Sequence, residues 1–428
     1  MTAEVAIYNR SAITLAADSA VSISRGQASH KIYNNAEKLF AITKHQPVGL
    51  MIYGSSDILG IPWELIIKQH RVKLGESSFS SLKEYAKSFF SFTEEFFTKL
   101  PFEAVEKEYS DYLDFIIEDT FEKVVEFSGI QRPEGEVTAD EIQAFHQAVD
   151  LIIENFEESS ELYDGFGEQD EKQAREDTKE LALALFNNFF NVEETAEQEP
   201  CKSFIALCAS RITKVDMFYD NTTGFVFAGY GEDEYLPQMY NFDVYGVYQG
   251  KLKYYDKKPT GLSPKQTAGL QAFAQRDEVD TFMQGVNKQI RSHFNEKSKD
   301  LYFSALDCID KLIEQAYPEE EQDDLKAEYF EVLQTKYSEV AQDTRDFIQG
   351  NYIKKVVEMI KHLPKNEMAY MAESLINLTA FKRKVSNDSD TVGGPIDVAV
   401  ISKGDGFVWV KRKYYFDNGL NQHYGPKK

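Results

Sequence analysis

The residues that decide the fold are the first twenty, MTAEVAIYNRSAITLAADSA (1–20). Apolar and small residues dominate two stretches, 2–8 and 12–18, and both stretches are typical of buried strands. The YNRSA residues between them predict a tight connection between two adjacent strands. Chain ends are usually frayed, whereas this one is expected to be ordered from its second residue. We therefore expect that no leader precedes it and that the N-terminus itself has a role.

Thr2 is the residue for which an ordered N-terminus matters. If Met1 is removed, Thr2 carries a hydroxyl group and a free α-amine, and such an amine titrates at about 7.7–8.0. A base with this pKa accepts protons efficiently at neutral pH, so the amine can activate the hydroxyl of its own residue as a nucleophile. Any preceding residue would turn the amine into a non-basic amide.

Two charged residues near predicted strand ends add to this chemistry. Asp18 ends the second predicted strand, and Lys38 begins a further strand in NNAEKLF (34–40). A lysine near Thr2 would stabilise an alkoxide, and a buried lysine needs a counter-charge that Asp18 can supply. Taken separately, Asp18 is a turn residue and Lys38 a surface lysine; taken together, they predict part of a catalytic set.

The composition excludes several classes of protein. The 428 residues are 42% hydrophobic, which suffices for a sizeable core, and no apolar run reaches the ~18 residues of a membrane span. The net charge is −24, and residues 101–200 alone hold 29 acidic against 6 basic residues, which argues against a nucleic-acid surface. We interpret this acidic segment as a solvated helical face, or as a surface that repels or selects partners.

The histidines and cysteines predict no metal site. The seven histidines lack H-x-x-x-H spacing. The three cysteines are odd in number and lack metal-type spacing, and this use of cysteine favours a reduced cytoplasm. The sequence has no G-x-x-x-x-G-K-[ST] motif, so we expect no ATPase activity in this chain. We expect neither a cofactor nor a metal ion, and the predicted location is the cytoplasm.

Periodicity divides the rest of the chain into alternating strand-like and helical blocks. After the strand PVGLMIYG (47–54), helical spacing begins at Asp57 and continues as acidic amphipathic helices to about residue 200. One apolar stripe in this block is predicted to consist of Ile142, Phe145, Val149, Ile152, Ile153 and Phe156. Helical spacing returns from about 264 to 384. The remaining runs, 203–210, 214–220, 224–231, 242–255, 396–402 and 407–415, are predicted strands, and the last two form a terminal hairpin.

Several of these segments together resemble proteasome β-type subunits and the bacterial HslV peptidase, which are N-terminal-nucleophile hydrolases. MTAEVAIYNRSAITLAADS resembles the family's opening, and the sixteen-residue interval from Thr2 to Asp18 matches the family's spacing. NNAEKLFAI resembles the strand that carries the family's lysine, and GLMIYGSSDILGIPWELI resembles its strand, Gly-rich turn and helix start. VFAGYGEDEYLPQMYNFDVYG and SNDSDTVGGPIDVAVI resemble later segments. The likeness covers roughly 1–72, 200–290 and 365–412.

The resemblance implies roles for individual residues. It makes Thr2 the nucleophile and assigns Asp18 and Lys38 to the rest of the triad. It also implies that a backbone N–H in the Gly-rich turn stabilises the oxyanion. Gly54 is the candidate for this donor, and the alignment can also slip to Tyr53 or Ser55.

The accessory residues depart from the family's pattern. When the pair Gly393-Gly394 is aligned, Val392 occupies the position of the family's serine. The second helper serine has no clear equivalent near 271–273. The candidates for the accessory acidic and hydroxyl groups are therefore Asp388, Asp390, Thr391 and Ser389.

The fold that we expect is α+β, a four-layer αββα sandwich of the N-terminal-nucleophile hydrolase type with extended, acidic helical insertions. We expect a single proteasome-like domain over 1–428. Its core segments are about 1–100, 200–290 and 365–428, and its helical insertions are about 101–199 and 291–364.

The implied function is that of a threonine peptidase which hydrolyses peptide bonds with Thr2 as nucleophile. Two alternatives stay open: a catalytically silent scaffold or binding subunit like the proteasome α-type subunits, and an amidase that acts on a small amide. The resemblance further implies a peptide or unfolded-protein substrate, a homo-oligomer built as a ring or an arc, and a separate ATP-dependent unfoldase. We expect neither nucleic acid nor a membrane as a partner.

Overall fold

The computed structural model describes residues 3–24, 30–33, 36–130, 138–216, 219, 221–257, 267–385 and 393–414. Within these residues the strands are β1 (Ala3–Asn9), β2 (Ile13–Ala17), β3 (Val21–Ser24), β4 (His30–Tyr33), β5 (Leu39–Ala41), β6 (Val48–Gly54), β7 (Asp57–Ile58), β8 (Ile61–Pro62), β9 (Thr223–Gly229), β10 (Gln238–Tyr248), β11 (Lys251–Asp256), β12 (Ala268–Ala274), β13 (Asp397–Ser402) and β14 (Gly406–Lys411). The α-helices are α1 (Trp63–Leu74), α2 (Leu82–Lys99), α3 (Glu106–Ser128), α4 (Ala139–Ser159), α5 (Glu168–Phe190), α6 (Glu199–Thr213), α7 (Asp277–Gln284), α8 (Lys288–Ala316), α9 (Glu319–Ile348), α10 (Lys354–Ile360) and α11 (Lys365–Val385).

The chain divides into two compact units, each with its own five-stranded sheet. The first unit comprises Met1–Leu39, Tyr235–Gln238 and Gly261–Lys428, and the second comprises Phe40–Glu234 and Met239–Thr260. The strand order is β12-β1-β2-β13-β14 in the first sheet and β11-β10-β9-β6-β5 in the second. Every neighbouring pair in the first sheet is antiparallel. The architecture is thus mixed α+β, as the sequence predicts.

The opening hairpin of the first unit is confirmed. β1 and β2 pair with Glu4 opposite Ala17 and Tyr8 opposite Ile13. Val5 and Ile7 point to a core that they share with apolar side chains of α11. Because successive side chains of a strand point to opposite faces, Glu4 and Ala6 lie on the face away from α11. The terminal hairpin of β13 and β14 is also confirmed.

The start of the helical block expected from about residue 264 is wrong. Residues Ala268–Ala274 form β12, which pairs with β1 and places Gly269 opposite Tyr8. A side chain at Gly269 would collide with the Tyr8 ring. A short apolar run fits a strand or a helix equally well, and here the outer backbone groups of β1 require a partner strand.

The strand expected at 203–210 is also wrong, because these residues belong to α6. Pro200 lies in the first turn of this helix, where its missing N–H costs no helical hydrogen bond. Phe204, Leu207 and Cys208 of α6 pack in a core with side chains of α3, α4 and α5. This neighbouring bundle, and not the local pattern, decides that the segment is helical. The strand expected at 214–220 is absent from its described residues.

The helix expected from Asp57 begins six residues later. Residues 57–62 form the short β7–β8 hairpin, with Leu59 and Gly60 at positive φ, and α1 starts after Pro62. The acidic helices expected between 101 and 200 are confirmed, and the predicted stripe on α4 buries Phe145, Val149 and Phe156. Among the described residues, no helix combines the length and the apolar character needed to cross a membrane.

Candidate active site

Asp18 follows β2 directly and lies beside the start of β1. Its backbone N–H donates to the carbonyl oxygen of Ala3 at 3.1 Å, and its carboxylate Oδ1 accepts a hydrogen bond from the N–H of Ala3 at 3.2 Å. The side chain is fully buried. The hairpin register, with Glu4 opposite Ala17, therefore brings Asp18 to the residue that follows Thr2.

Lys38 completes a buried ion pair with Asp18. Its Nζ lies 2.6 Å from Asp18 Oδ1, and the two side chains are 6% and 0% exposed. The other carboxylate oxygen of Asp18 accepts hydrogen bonds from the N–H groups of Gly393 at 3.0 Å and Ala20 at 3.4 Å. A buried pair is tolerated only when its remaining hydrogen-bonding capacity is satisfied in this way. The structure thus brings together the two charged residues that the sequence singled out.

Electrostatics at Lys38 depend on several neighbours. Burial lowers the pKa of Lys38, whereas the negative charges of Asp18 and Glu4 oppose this change. The nearby charge of Lys413 lowers the pKa of Lys38 further. Lys413 is itself paired with the carboxylate of Asp397 at 2.5 Å. The charge of Lys38 is therefore set by a network, in which Asp18 makes the direct contact.

Glu4 is a site residue that the sequence interpretation missed. Its side chain is fully buried, and neither carboxyl oxygen has a hydrogen-bond partner within the part of the chain that the structure describes. Burial raises the pKa of Glu4 well above its usual value; Lys38 lowers it and Asp18 raises it. The sequence signal that could have revealed Glu4 is that it is the one acidic residue in the strand AEVAIYN (3–9). The apolar residues on both sides of it do not indicate which face of the strand it lies on.

Glu4→Gln is expected to change how stability depends on pH. Because the pKa of Glu4 is raised in the folded protein, the folded state holds a proton that the unfolded state releases above about pH 4.3. Stability of the wild-type protein should therefore fall as pH rises through the raised pKa. For each pH unit between the pKa of Glu4 in the unfolded state and its raised pKa in the folded state, the free energy of unfolding falls by about 1.4 kcal/mol. Between pH 5 and pH 9, the melting temperature of the variant should rise relative to that of the wild-type protein.

The control for this experiment is Glu103→Gln, at an exposed position in the second unit. It should differ from the wild-type protein by the same small amount at every pH. If Glu4→Gln and the wild-type protein unfold in parallel across the range, Glu4 is ionised in the folded protein and our interpretation of its burial is wrong.

Four predicted site residues lie outside the described residues: Thr2, Asp388, Asp390 and Thr391. The further candidate Ser389 lies outside them as well, and so does Val392, which occupies the position of the family's serine. Ala3 follows Thr2 and Gly393 follows Val392 in the chain, and both residues donate a backbone N–H to the carboxylate of Asp18. Ser19 reinforces the second contact, because its N–H donates to Gly393 O at 3.2 Å. Ala3 and Gly393 therefore meet at the carboxylate of Asp18.

Gly54 and Ser55 occupy a tight turn at the end of β6 in the second unit. Gly54 has a φ of 86°, which favours glycine, and a Cβ there would collide with the carbonyl oxygen of Thr222. The N–H of Ser55 donates to the same carbonyl at 3.0 Å, so this N–H already has a partner. A cavity of about 300 Å³ adjoins the turn, and its lining includes Trp63 and Tyr112.

The described residues contain no group of three or more His, Cys, Asp or Glu side chains that could hold a metal ion. The site contains a buried ion pair between Lys38 and Asp18 and a second buried acid, Glu4. The carboxylate of Asp18 also binds Ala3, the residue that follows Thr2.

No family model matches the chain, and no curated protein matches it. Among solved structures, the chain is similar to one described as the Anbu (Gly-1) mutant from Hyphomicrobium sp. strain MC1. The likeness covers 100% of this chain and 98% of the other, at 11% sequence identity and a TM-score of 0.29. A likeness at this level carries no argument about the reaction.

Proposed function

We propose that this chain is an N-terminal-nucleophile hydrolase that cleaves amide bonds, with Thr2 as nucleophile after removal of Met1. One observation carries the proposal: the buried carboxylate of Asp18 binds Lys38 and also the backbone N–H of Ala3, the residue after Thr2. A buried ion pair often contributes no more to stability than apolar residues would. Its location beside Ala3, the residue that follows Thr2 in the chain, therefore favours a chemical role.

The proposed reaction needs no group from outside the chain except substrate and water. The α-amine of Thr2 takes the proton of its own hydroxyl while Oγ attacks the carbonyl carbon of the amide. The tetrahedral intermediate collapses as the C–N bond breaks, and the leaving amine takes that proton. An ester on Thr2 remains. Water, deprotonated by the same α-amine, hydrolyses the ester and restores the hydroxyl.

Lys38 and Asp18 have distinct parts in this proposal. The positive charge of Lys38 stabilises the negative charge that develops on the hydroxyl oxygen, and burial strengthens this effect because water does not screen it. Asp18 orients Lys38 and anchors the start of β1. Glu4 lies buried in the same cluster, and its burial raises its pKa well above the usual value.

The finer features of the proposal follow from the resemblance set out above. They are a peptide or unfolded-protein substrate, Gly54 as an oxyanion donor, a ring or arc of copies, a cytoplasmic location and a separate ATP-dependent unfoldase. The resemblance also implies the four-layer αββα sandwich.

The proposal is tested by covalent labelling of natively expressed protein with a peptide β-lactone, an electrophile that acylates an activated hydroxyl. Intact mass should show loss of Met1 and the addition of a single probe molecule. Peptide mapping should place the probe on Thr2, because only that hydroxyl has an α-amine as its base. Heat-denatured protein is the control and should remain unlabelled.

Two outcomes would overturn the proposal. The first is Met1 retained throughout a preparation that cleaves peptide amides, since an amide nitrogen cannot act as the base. The second is label only on another side chain, such as the exposed Cys308, in a preparation that has lost Met1. Such a result would favour the silent scaffold or a different nucleophile.

A further inference from the structure

Two long helices of the first unit form a hairpin that buries almost nothing. α8 and α9 contain 29 and 30 residues, all of them described, and Ile313 is the only buried residue among them. The helices face each other through residues such as Tyr302 and Tyr337, whose ring centroids are 5.1 Å apart. Helices of this length are normally stabilised by packing of an apolar face, so the outer surface of the hairpin requires a closer look.

In addition to the side chains that face the other helix, each helix carries an exposed apolar stripe. On α8 the stripe is Ile290, Phe294, Leu301 and Leu312, and on α9 it is Tyr329, Val332, Val340 and Phe347. Phe294 and Leu301 are 66% and 72% exposed. The spacings within the α8 stripe, four, seven and eleven residues, are close to whole numbers of helical turns. Eight large apolar side chains in two exposed rows exceed the singly scattered ones that a soluble monomer normally exposes.

The two stripes lie on one face of the hairpin. At about 100° per residue, the α8 stripe is displaced roughly a quarter turn from the side chains that face α9. The α9 stripe is displaced from Tyr337 and its neighbours by a similar angle and in the same rotational sense about its own axis. Because α8 and α9 run in opposite directions, equal displacements place both stripes on the same side. We call these eight side chains the hairpin face.

Charge along the hairpin is strongly polarised. The base of the hairpin, residues 288–299 of α8, has four Lys or Arg and one Glu. The tip, residues 307–331, has ten Asp or Glu and only two Lys, a net charge of −8. On α8 alone, residues 288–299 have a net charge of +3 and residues 307–316 have a net charge of −2, so the α8 stripe is complementary to an inverted copy of itself.

We propose that the hairpin face binds the hairpin face of a second copy of this chain, with the two hairpins antiparallel about a two-fold axis. In this arrangement α8 packs on its symmetry mate, and the basic residues 288–299 of each lie opposite acidic residues near the tip of the other. The parallel alternative would place acidic tip on acidic tip. The paired hairpins form a four-helix bundle, in an isologous contact that closes as a dimer. This inference does not depend on the hydrolase proposal.

Sedimentation velocity of the full chain tests the surface. Leu301→Asp places a charge at the middle of the hairpin face and should halve the molar mass of the assembly. The matched control is Phe303→Asp, because Phe303 is 54% exposed and lies on the other side of α8; it should leave the mass unchanged. A wild-type monomer at all micromolar concentrations, or a mass that Leu301→Asp does not change, would overturn the proposal.

Cross-linking tests the antiparallel geometry. The stripe on α8 runs from Ile290 to Leu312, so its midpoint, Leu301, should lie near the two-fold axis. In a Cys308→Ser background, Leu301→Cys should form an intermolecular disulfide under mild oxidation, because its partner falls within the distance that a disulfide spans. Phe303→Cys in the same background should stay reduced. Equal cross-linking of both variants, or no cross-link in a dimeric Leu301→Cys variant, contradicts the proposed pairing.

Discussion

Thr2→Ala should reduce the hydrolysis of short peptide amides by on the order of a thousandfold or more, because loss of the nucleophile removes the covalent route. The fold should survive, since the N–H of Ala3 and the carboxylate of Asp18 anchor the start of the first strand. The measurement is the initial rate on a fluorogenic di- or tripeptide, with thermal unfolding recorded on the same preparations. Thr2→Ser should keep part of the activity, because serine retains the hydroxyl and the α-amine.

Ser11→Ala is the matched control for the loss of a hydroxyl group. Ser11 lies between β1 and β2, and its Oγ donates to Asn9 Oδ1 at 2.7 Å, in the turn at the far end of the strands from Asp18. Its removal should leave the rate unchanged. Cleavage by Thr2→Ala at the wild-type rate would place the nucleophile elsewhere in the chain and would end the proposal, whatever the stability of the variant.

Asp18→Ala should destabilise the protein by about 3–5 kcal/mol, because it removes the carboxylate that pairs with the buried charge of Lys38. The variant also leaves the N–H groups of Ala3 and Gly393 without their acceptor. Lys38→Met should cost less, since the carboxylate keeps its hydrogen bonds from backbone N–H groups. Chemical denaturation with urea gives the free energy of unfolding of each variant.

The double variant Asp18→Ala with Lys38→Met separates the ion pair from the rest of the site. Its destabilisation should fall short of the sum of the single variants by about 0.5–3 kcal/mol, the range for residues in direct contact. The control pair is Lys311 and Asp307, which has the same Nζ to Oδ distance of 2.6 Å but is two-thirds exposed. Asp307→Ala should cost less than about 1 kcal/mol. Additive effects at Asp18 and Lys38 would show that the pair is not energetically coupled.

Local patterns predicted much of the chain correctly. Two stretches of apolar and small residues within the first twenty positions predicted the β1–β2 hairpin, and helical spacing predicted the stripe of Phe145, Val149 and Phe156 on α4. The same reasoning failed for α6 and β12. Each contains a short apolar run that fits either secondary structure, and the deciding contact comes from a distant segment: the helical bundle for α6 and the free edge of β1 for β12.

The sequence by itself determined that Asp18 and Lys38 carry opposite charges near strand ends, so their pairing in one buried site was predictable. Only the tertiary structure decided that Glu4 lies buried beside them, and that Gly393 reaches the carboxylate of Asp18 from 375 residues away. The physical reason is that periodicity describes the two faces of a strand but not what covers each face. Burial, and with it the protonation of an acid such as Glu4, depends on that covering.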